Sequence, residues 1–299
     1  MGLIHASVVS LLPLLPRPVM RFLSRRYIAG ETLEAALGRL QGLTAAGYAG
    51  ILDILGENVV DEATAREVIG DYREAADAIA ELGLEAYVSV KPTHVGLLLS
   101  EDLAHDLYLE LARHCAELGV FVRVEMEDHT TTDATLRVFE RLRGEVENVG
   151  IVLQSRLFRT PSDIDALGAG TLSVRMVKGV YLEPAAIAHT EAEPIRRAFC
   201  DCARQLFRRG ARVSFATHDE LLGRELIEIC REEGVGTDRY EFQVLLGVCE
   251  RLWREWRTTG HPVRVYVPFG PEWRAYSTRR LRKNPQILQH VMKDLLRRR

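Results

Sequence analysis

VFVRVEME, residues 120–127, sets apolar Val120, Val122, Val124 and Met126 against charged Arg123, Glu125 and Glu127. Successive side chains of a strand point to opposite faces, so this stretch reads as a strand with one apolar face and one charged face. What the charged face meets decides the fold. Seven further short runs share the β-type character: GILDIL (50–55), EAYVSVKP (85–92), VGIVLQS (149–155), LSVRMVKG (172–179), RVSFATH (212–218), YEFQVLLG (240–247) and VRVYVPFG (263–270). Longer amphipathic helical patterns separate them. Eight strand-and-helix units predict a (β/α)8 TIM barrel, in which one face of each strand packs on the helices and the other lines the barrel interior.

Each run meets that demand. Val88 and Val90 point out while Tyr87, Ser89 and Lys91 point in; Val213, Phe215 and Thr217 point out against Ser214, Ala216 and His218; Val263, Val265 and Val267 point out against Arg264, Tyr266 and Pro268. Gln154, Arg175, Gln243 and Leu245 also face inward. Buried charge is costly unless paired. Arg123, Glu241 and Arg264 lie near the strand starts, where a network of mutual ion pairs that simply fills the barrel accounts for them. Lys91, Glu125, Glu127 and Arg175 lie toward the C-terminal strand ends, where barrel enzymes keep their active sites.

The chain of 299 residues, 47% hydrophobic, reads as one domain over 1–299, with a helical extension at 1–47 before a barrel at 48–299. Its 39 basic and 42 acidic residues give a formal charge of -3, which argues against a nucleic-acid partner. Five scattered cysteines without ligand spacing read as buried thiols of a reducing, cytoplasmic compartment, and no metal site is expected. The N-terminal run GLIHASVVSLLPLLP is too short and proline-broken to span a bilayer. With Arg17, Arg21, Arg25 and Arg26 behind it, it reads either as a segment packed on the domain or as a peripheral contact with the inner face of the membrane.

No zinc spacing, Walker loop or nucleophile elbow occurs, and GAGTLS (168–173) precedes a strand, unlike a dinucleotide fingerprint. A cofactor would therefore lie across the barrel mouth, against strand-end groups. Spacing alone leaves a flavin and a phosphosugar equally open. The basic tract YSTRRLRKNP (276–285) could be a solvated face, a polyanion patch or a clamp for one small anion.

LLGE (54–57), SVKPTHVGL (89–97), VEMED (124–128), VRMVKGVY (174–181), FATH (215–218), EFQVLLGV (241–248), VYVPFG (265–270) and AYSTRRLRKNP (275–285) together resemble the proline dehydrogenase family. They span nearly the whole barrel in family order. The resemblance implies a distorted barrel, with its eighth helix over the C-terminal ends of the strands, that binds FAD. It also implies oxidation of L-proline to Δ1-pyrroline-5-carboxylate, with electrons passed to a membrane quinone and a pyrroline-5-carboxylate dehydrogenase as possible recipient of the product.

Position by position, the resemblance places Arg279 and Arg280 on the proline carboxylate. Tyr266, Tyr276 and Leu245 would wall the ring, with Lys91 at the same pocket. Glu57 would pair with the first arginine and close the site. Gln154, Arg175, Val177, Lys178, Gly179, Tyr181, Thr217 and His218 fall on flavin-contact positions. Glu125 stands where family members mostly carry Asp and would contact Tyr266. Arg282 and Lys283 would meet solvent or the outer cofactor edge, and Pro285 would end or kink the helix. Rival readings are another flavin barrel, such as a methylenetetrahydrofolate reductase, or a non-catalytic binding barrel.

Overall fold

The structure, a computed structural model, describes residues 17–283, and of positions 17–19, 23 and 279–283 the backbone alone. Eight strands run parallel: β1 (Ala49–Ile54), β2 (Ala86–Val90), β3 (Val122–Val124), β4 (Val149–Gln154), β5 (Ser173–Val177), β6 (Arg212–Ala216), β7 (Tyr240–Leu245) and β8 (Val263–Phe269). Each pairs with the next, and β8 pairs with β1 from Ala49↔Arg264 to Ile54↔Phe269, closing the barrel.

Two helices, α1 (Arg17–Ser24) and α2 (Leu33–Ala45), precede β1. The strands are followed in turn by α3 (Glu62–Glu81), α4 (Glu101–Glu117), α5 (Thr132–Arg143), α6 (Thr160–Ala166), α7 (Ala192–Arg208), α8 (Glu220–Glu232), α9 (Glu250–Thr258) and α10 (Trp273–Lys283). A 3-10 turn (Pro92–Val95) separates β2 from α4. Asp61, Ser100 and Asp219 cap α3, α4 and α8 by accepting backbone N–H groups of the first turn, so each of these loops ends at a defined point.

The outward-facing valines of β2, β3, β6 and β8, together with Phe215, join one apolar cluster with the helices. Two buried phenols then peg helices to the mouth end of β2: Tyr72 of α3 donates to Ser89 O at 2.9 Å and Tyr108 of α4 to Val90 O at 2.7 Å. The position beside β8 and β1 is taken by α2. The last helix is therefore free to lie elsewhere. It packs with α1 on the mouth: the Ser24 and Ser277 hydroxyls are 2.7 Å apart, and Trp273 joins Met20, Tyr27, Leu55 and Leu245 in a second apolar cluster. The described part of the N-terminal region is thus packed on the barrel, whereas residues 1–16 and Pro285 lie outside the described residues.

Three expectations are corrected. The run 120–127 is longer than its strand, Val122–Val124, and past it the carboxylates of Glu125 and Glu127 engage Ser89 and Thr93 at the mouth. Arg264 does pair with Glu241, at 3.1 Å, but Arg123 has carbonyl and hydroxyl partners instead: Ile151 O at 3.2 Å, Ser173 O at 2.6 Å and Ser173 Oγ at 2.9 Å. Its guanidinium also lies 4.9 Å from the Phe121 ring centre. Cys249 is exposed, while Cys115, Cys200, Cys202 and Cys230 are buried.

Candidate active site

A cavity of about 490 Å³ opens at the C-terminal ends of the strands. A larger depression, about 660 Å³, lies between α2 and α3 and is rimmed by Glu34, Glu74, Asp77 and Glu81. None of its lining residues is buried. The mouth cavity is walled by buried charge, and chemistry belongs there.

Its deepest wall is built on Glu125. One carboxylate oxygen, Oε1, receives Arg175 Nη1 at 2.5 Å, Ser89 Oγ at 2.6 Å and the Tyr266 hydroxyl at 3.2 Å. Burial opposes this charge, but Arg175 and the hydrogen bonds outweigh it and hold Glu125 below the usual carboxylate range. Arg175 also donates to Gln243 Oε1 at 2.6 Å, and its guanidinium lies 5.3 Å from the Tyr266 ring centre. Its charge is balanced by protein groups, so burial alone does not require a bound anion beside it.

A second wall carries Lys91, whose Nζ is paired behind the lining with the buried Asp53 Oδ1 at 3.1 Å. Burial disfavours the ammonium, but Asp53 and Glu125 outweigh that and raise the Lys91 pKa. Lys91 in turn supports the wholly buried Asp53 against the burial that pushes its pKa up. Asp53 escaped the sequence reading, although a lone acid inside GILDIL was the available signal.

Most of the expected site residues meet at this cavity. Glu57, Lys91, Glu125, Arg175, Leu245, Tyr266 and Tyr276 line it, as do Gln154, Val177, Lys178, Gly179, Tyr181 and His218. His218 Nε2 accepts the Leu245 N–H at 2.9 Å, which fixes the orientation of its ring. Thr217 is absent from the lining: it is buried, and its hydroxyl takes the Asp219 N–H at 3.1 Å. Met126, expected to face outward, lines the cavity instead. The side chains of Arg279 and Arg280 lie outside the described residues, although their backbone belongs to α10.

The residues present fit a flavin nucleotide. Apolar Met126, Val152, Val177 and Leu245 give a surface suited to a flat ring system, beside the Gln154 amide. Gly179 adopts φ +96°, and a Cβ there would stand 2.7 Å from Arg156 Cδ and 2.8 Å from Gln154 Oε1. Backbone approaches the wall here as no larger residue could. Lys178 and Arg156 bring cations to the same wall, with Asp219 shared between Lys178 Nζ at 2.5 Å and Arg196 Nε at 2.9 Å. Cationic groups of this kind suit a pyrophosphate. Arg156 was missed because it lies just beyond the β4 run.

A family model described as Proline dehydrogenase matches residues 36–293. The chain is 36% identical to Proline dehydrogenase of Deinococcus radiodurans over 288 residues, 94% of this chain and 93% of that one. It is 31% identical to Proline dehydrogenase 1 of Bacillus subtilis over 273 residues, 91% of this chain and 90% of the relative. Among solved structures, proline utilization A (PutA) from Bdellovibrio bacteriovorus, inactivated by N-propargylglycine, superposes with a TM-score of 0.80 at 24% identity. That match covers 87% of this chain but 32% of the other, so the chain spans about a third of that protein, and the likeness speaks for the fold.

Proposed function

Because this chain belongs to the proline dehydrogenase family and acts in proline catabolism, we propose that its mouth cavity binds FAD and oxidises L-proline to Δ1-pyrroline-5-carboxylate. A flavin held along the wall formed by Gln154, Val177, Lys178 and Gly179 would supply the two-electron oxidant, accepting a hydride from the ring carbon next to nitrogen while the amine gives up its N–H proton to form the C=N bond. The residues have the task of holding a neutral amine in line and excluding water.

The observation that carries this reading is the meeting of Tyr266, Tyr276, Leu245 and Lys91 at one cavity with the Gln154–Gly179 wall. Tyr266 and Tyr276 offer aromatic walls to a pyrrolidine ring, and Lys91 offers a cation to its carboxylate. Positions 279 and 280 follow Tyr276 by three and four residues along α10, so the helical repeat puts all three on one face. An arginine pair there supports the carboxylate clamp. Glu57 lines the same cavity, which supports its reading as the acid that closes the site over the substrate. Electron transfer to a membrane quinone belongs to the same reading, as does delivery of product to a pyrroline-5-carboxylate dehydrogenase. Among the described residues no helix is long and apolar enough to cross a membrane.

The test is direct. Protein purified without added cofactor is expected to release FAD on denaturation and to turn over L-proline with a soluble quinone as acceptor. Protein that carries no flavin and gains no activity when FAD is supplied would refute the cofactor assignment.

A further inference from the structure

The loop between β1 and α3 carries Glu57, and two of its backbone N–H groups are held by one residue of the neighbouring loop. The Asn58 N–H donates to Thr93 Oγ1 at 3.0 Å, and the Val59 N–H donates to Thr93 O at 3.0 Å. Thr93 in turn gives both its donors to Glu127: N–H to Oε2 at 2.9 Å and Oγ1 to Oε1 at 2.8 Å. Thr93 and Glu127 are 2% and 6% exposed, so water does not compete for these bonds. Glu127 is held from its other side, since Gln154 Nε2 donates to its carbonyl at 2.7 Å.

Packing and backbone conformation agree with the hydrogen bonds. Asn58 sits at φ +55°, a left-handed conformation that costs energy and persists where surroundings fix it. Beside it, a Cβ on Gly56 would stand 2.0 Å from His94 Nε2, so the residue after Thr93 packs against the residue before Glu57. Two loops far apart in sequence thereby meet at Gly56, Asn58 and Val59 on one side and Thr93 and His94 on the other, and Glu57 and Glu127 both line the cavity.

We propose that Thr93 is a positioning residue, whose hydroxyl and backbone fasten the Glu57 loop to the buried Glu127 carboxylate and so set where Glu57 stands at the cavity edge. The proposal rests on the reading of Glu57 as the acid that closes the proline pocket. Thr93→Val keeps the shape of the side chain but removes the donor to Glu127 and the acceptor for Asn58. Thr93→Ser retains both.

The experiment compares Thr93→Val, Thr93→Ser, Glu57→Ala and the Glu57→Ala/Thr93→Val double variant as FAD-loaded protein, with amide exchange at Asn58 and Val59 measured alongside steady-state kinetics. Thr93→Val is expected to speed exchange at both amides and raise KM for proline by about 5- to 15-fold, the scale of one lost buried hydrogen bond. Its kcat and flavin content should stay near wild type, and Thr93→Ser should restore KM. On the Glu57→Ala background Thr93→Val should raise KM no further. Unchanged exchange in Thr93→Val, a KM effect that persists in full without Glu57, or a Thr93→Ser variant as impaired as Thr93→Val would each overturn the proposal. Faster exchange in a protein whose wild type does not oxidise proline would leave the latch standing and refute the substrate reading instead.

Discussion

The phenol of Tyr266 donates to Glu125 Oε1 at 3.2 Å, on the same oxygen that holds Arg175 at 2.5 Å. A wall of the mouth cavity and the buried charge of the barrel interior therefore share one acceptor. Removing that acceptor should damage stability and site together. Glu125→Ala leaves Arg175, 3% exposed, without its carboxylate and should cost about 3–5 kcal/mol in denaturant unfolding. Tyr266→Phe removes one donor to that carboxylate and should cost about 1.5–3 kcal/mol, at the low end for a 3.2 Å bond. Equal losses for the two would show that Glu125 does not carry the ion pair that the geometry describes.

Asp53 and Lys91 should behave as a unit. Lys91→Met strands a carboxylate that is 0% exposed, and a loss of about 3 kcal/mol or more is expected. Lys91→Met combined with Asp53→Leu removes both charges, so the double variant should recover part of that stability. A double variant whose loss is the sum of the single losses would rule out the pairing.

His94 gives stability a pH dependence of known sign. Burial, with the Lys91 charge adding to it, pushes its pKa down from 6.5 to about 4. The folded state therefore binds its proton less readily than the unfolded chain does. Stability from the neutral ring is fully present above pH 6.5 and falls as pH drops through about 4. The shift corresponds to about 3 kcal/mol. His94→Gln should flatten unfolding free energy over this interval relative to wild type, and parallel curves for the two proteins would contradict the assignment.

Arg279→Ala and Arg280→Ala test the carboxylate clamp. Each lost charge-assisted hydrogen bond, worth about 1.5–3 kcal/mol, should raise KM for proline by roughly 10- to 150-fold with flavin content retained. Unchanged kinetic constants in both variants would remove the clamp, and loss of flavin would move the residue to the cofactor wall.

The barrel was legible because period-two alternation survives in strands such as β3: Val122 and Val124 had to go out, so Arg123 had to go in. What Arg123 would touch was not legible, since carbonyls such as Ile151 O leave no mark in composition. Met126 lies two residues past β3, where the pleat gives way to loop conformation and alternation stops predicting direction, whereas Thr217 stays out of the cavity lining as alternation implies, against the flavin-contact position that the resemblance gave it. Asp53 was masked by its apolar neighbours, and the latch from Glu127 through Thr93 to Asn58 joins segments 34 and 35 residues apart. No local pattern encodes such a pairing.

In the proposed reaction one cavity holds L-proline against a flavin. The most direct measurement of this is the visible spectrum of the purified, FAD-loaded protein on anaerobic addition of L-proline. The account predicts that the yellow flavin bleaches on proline addition and that colour returns when a quinone is admitted. A stably bound flavin that proline leaves oxidised would contradict it.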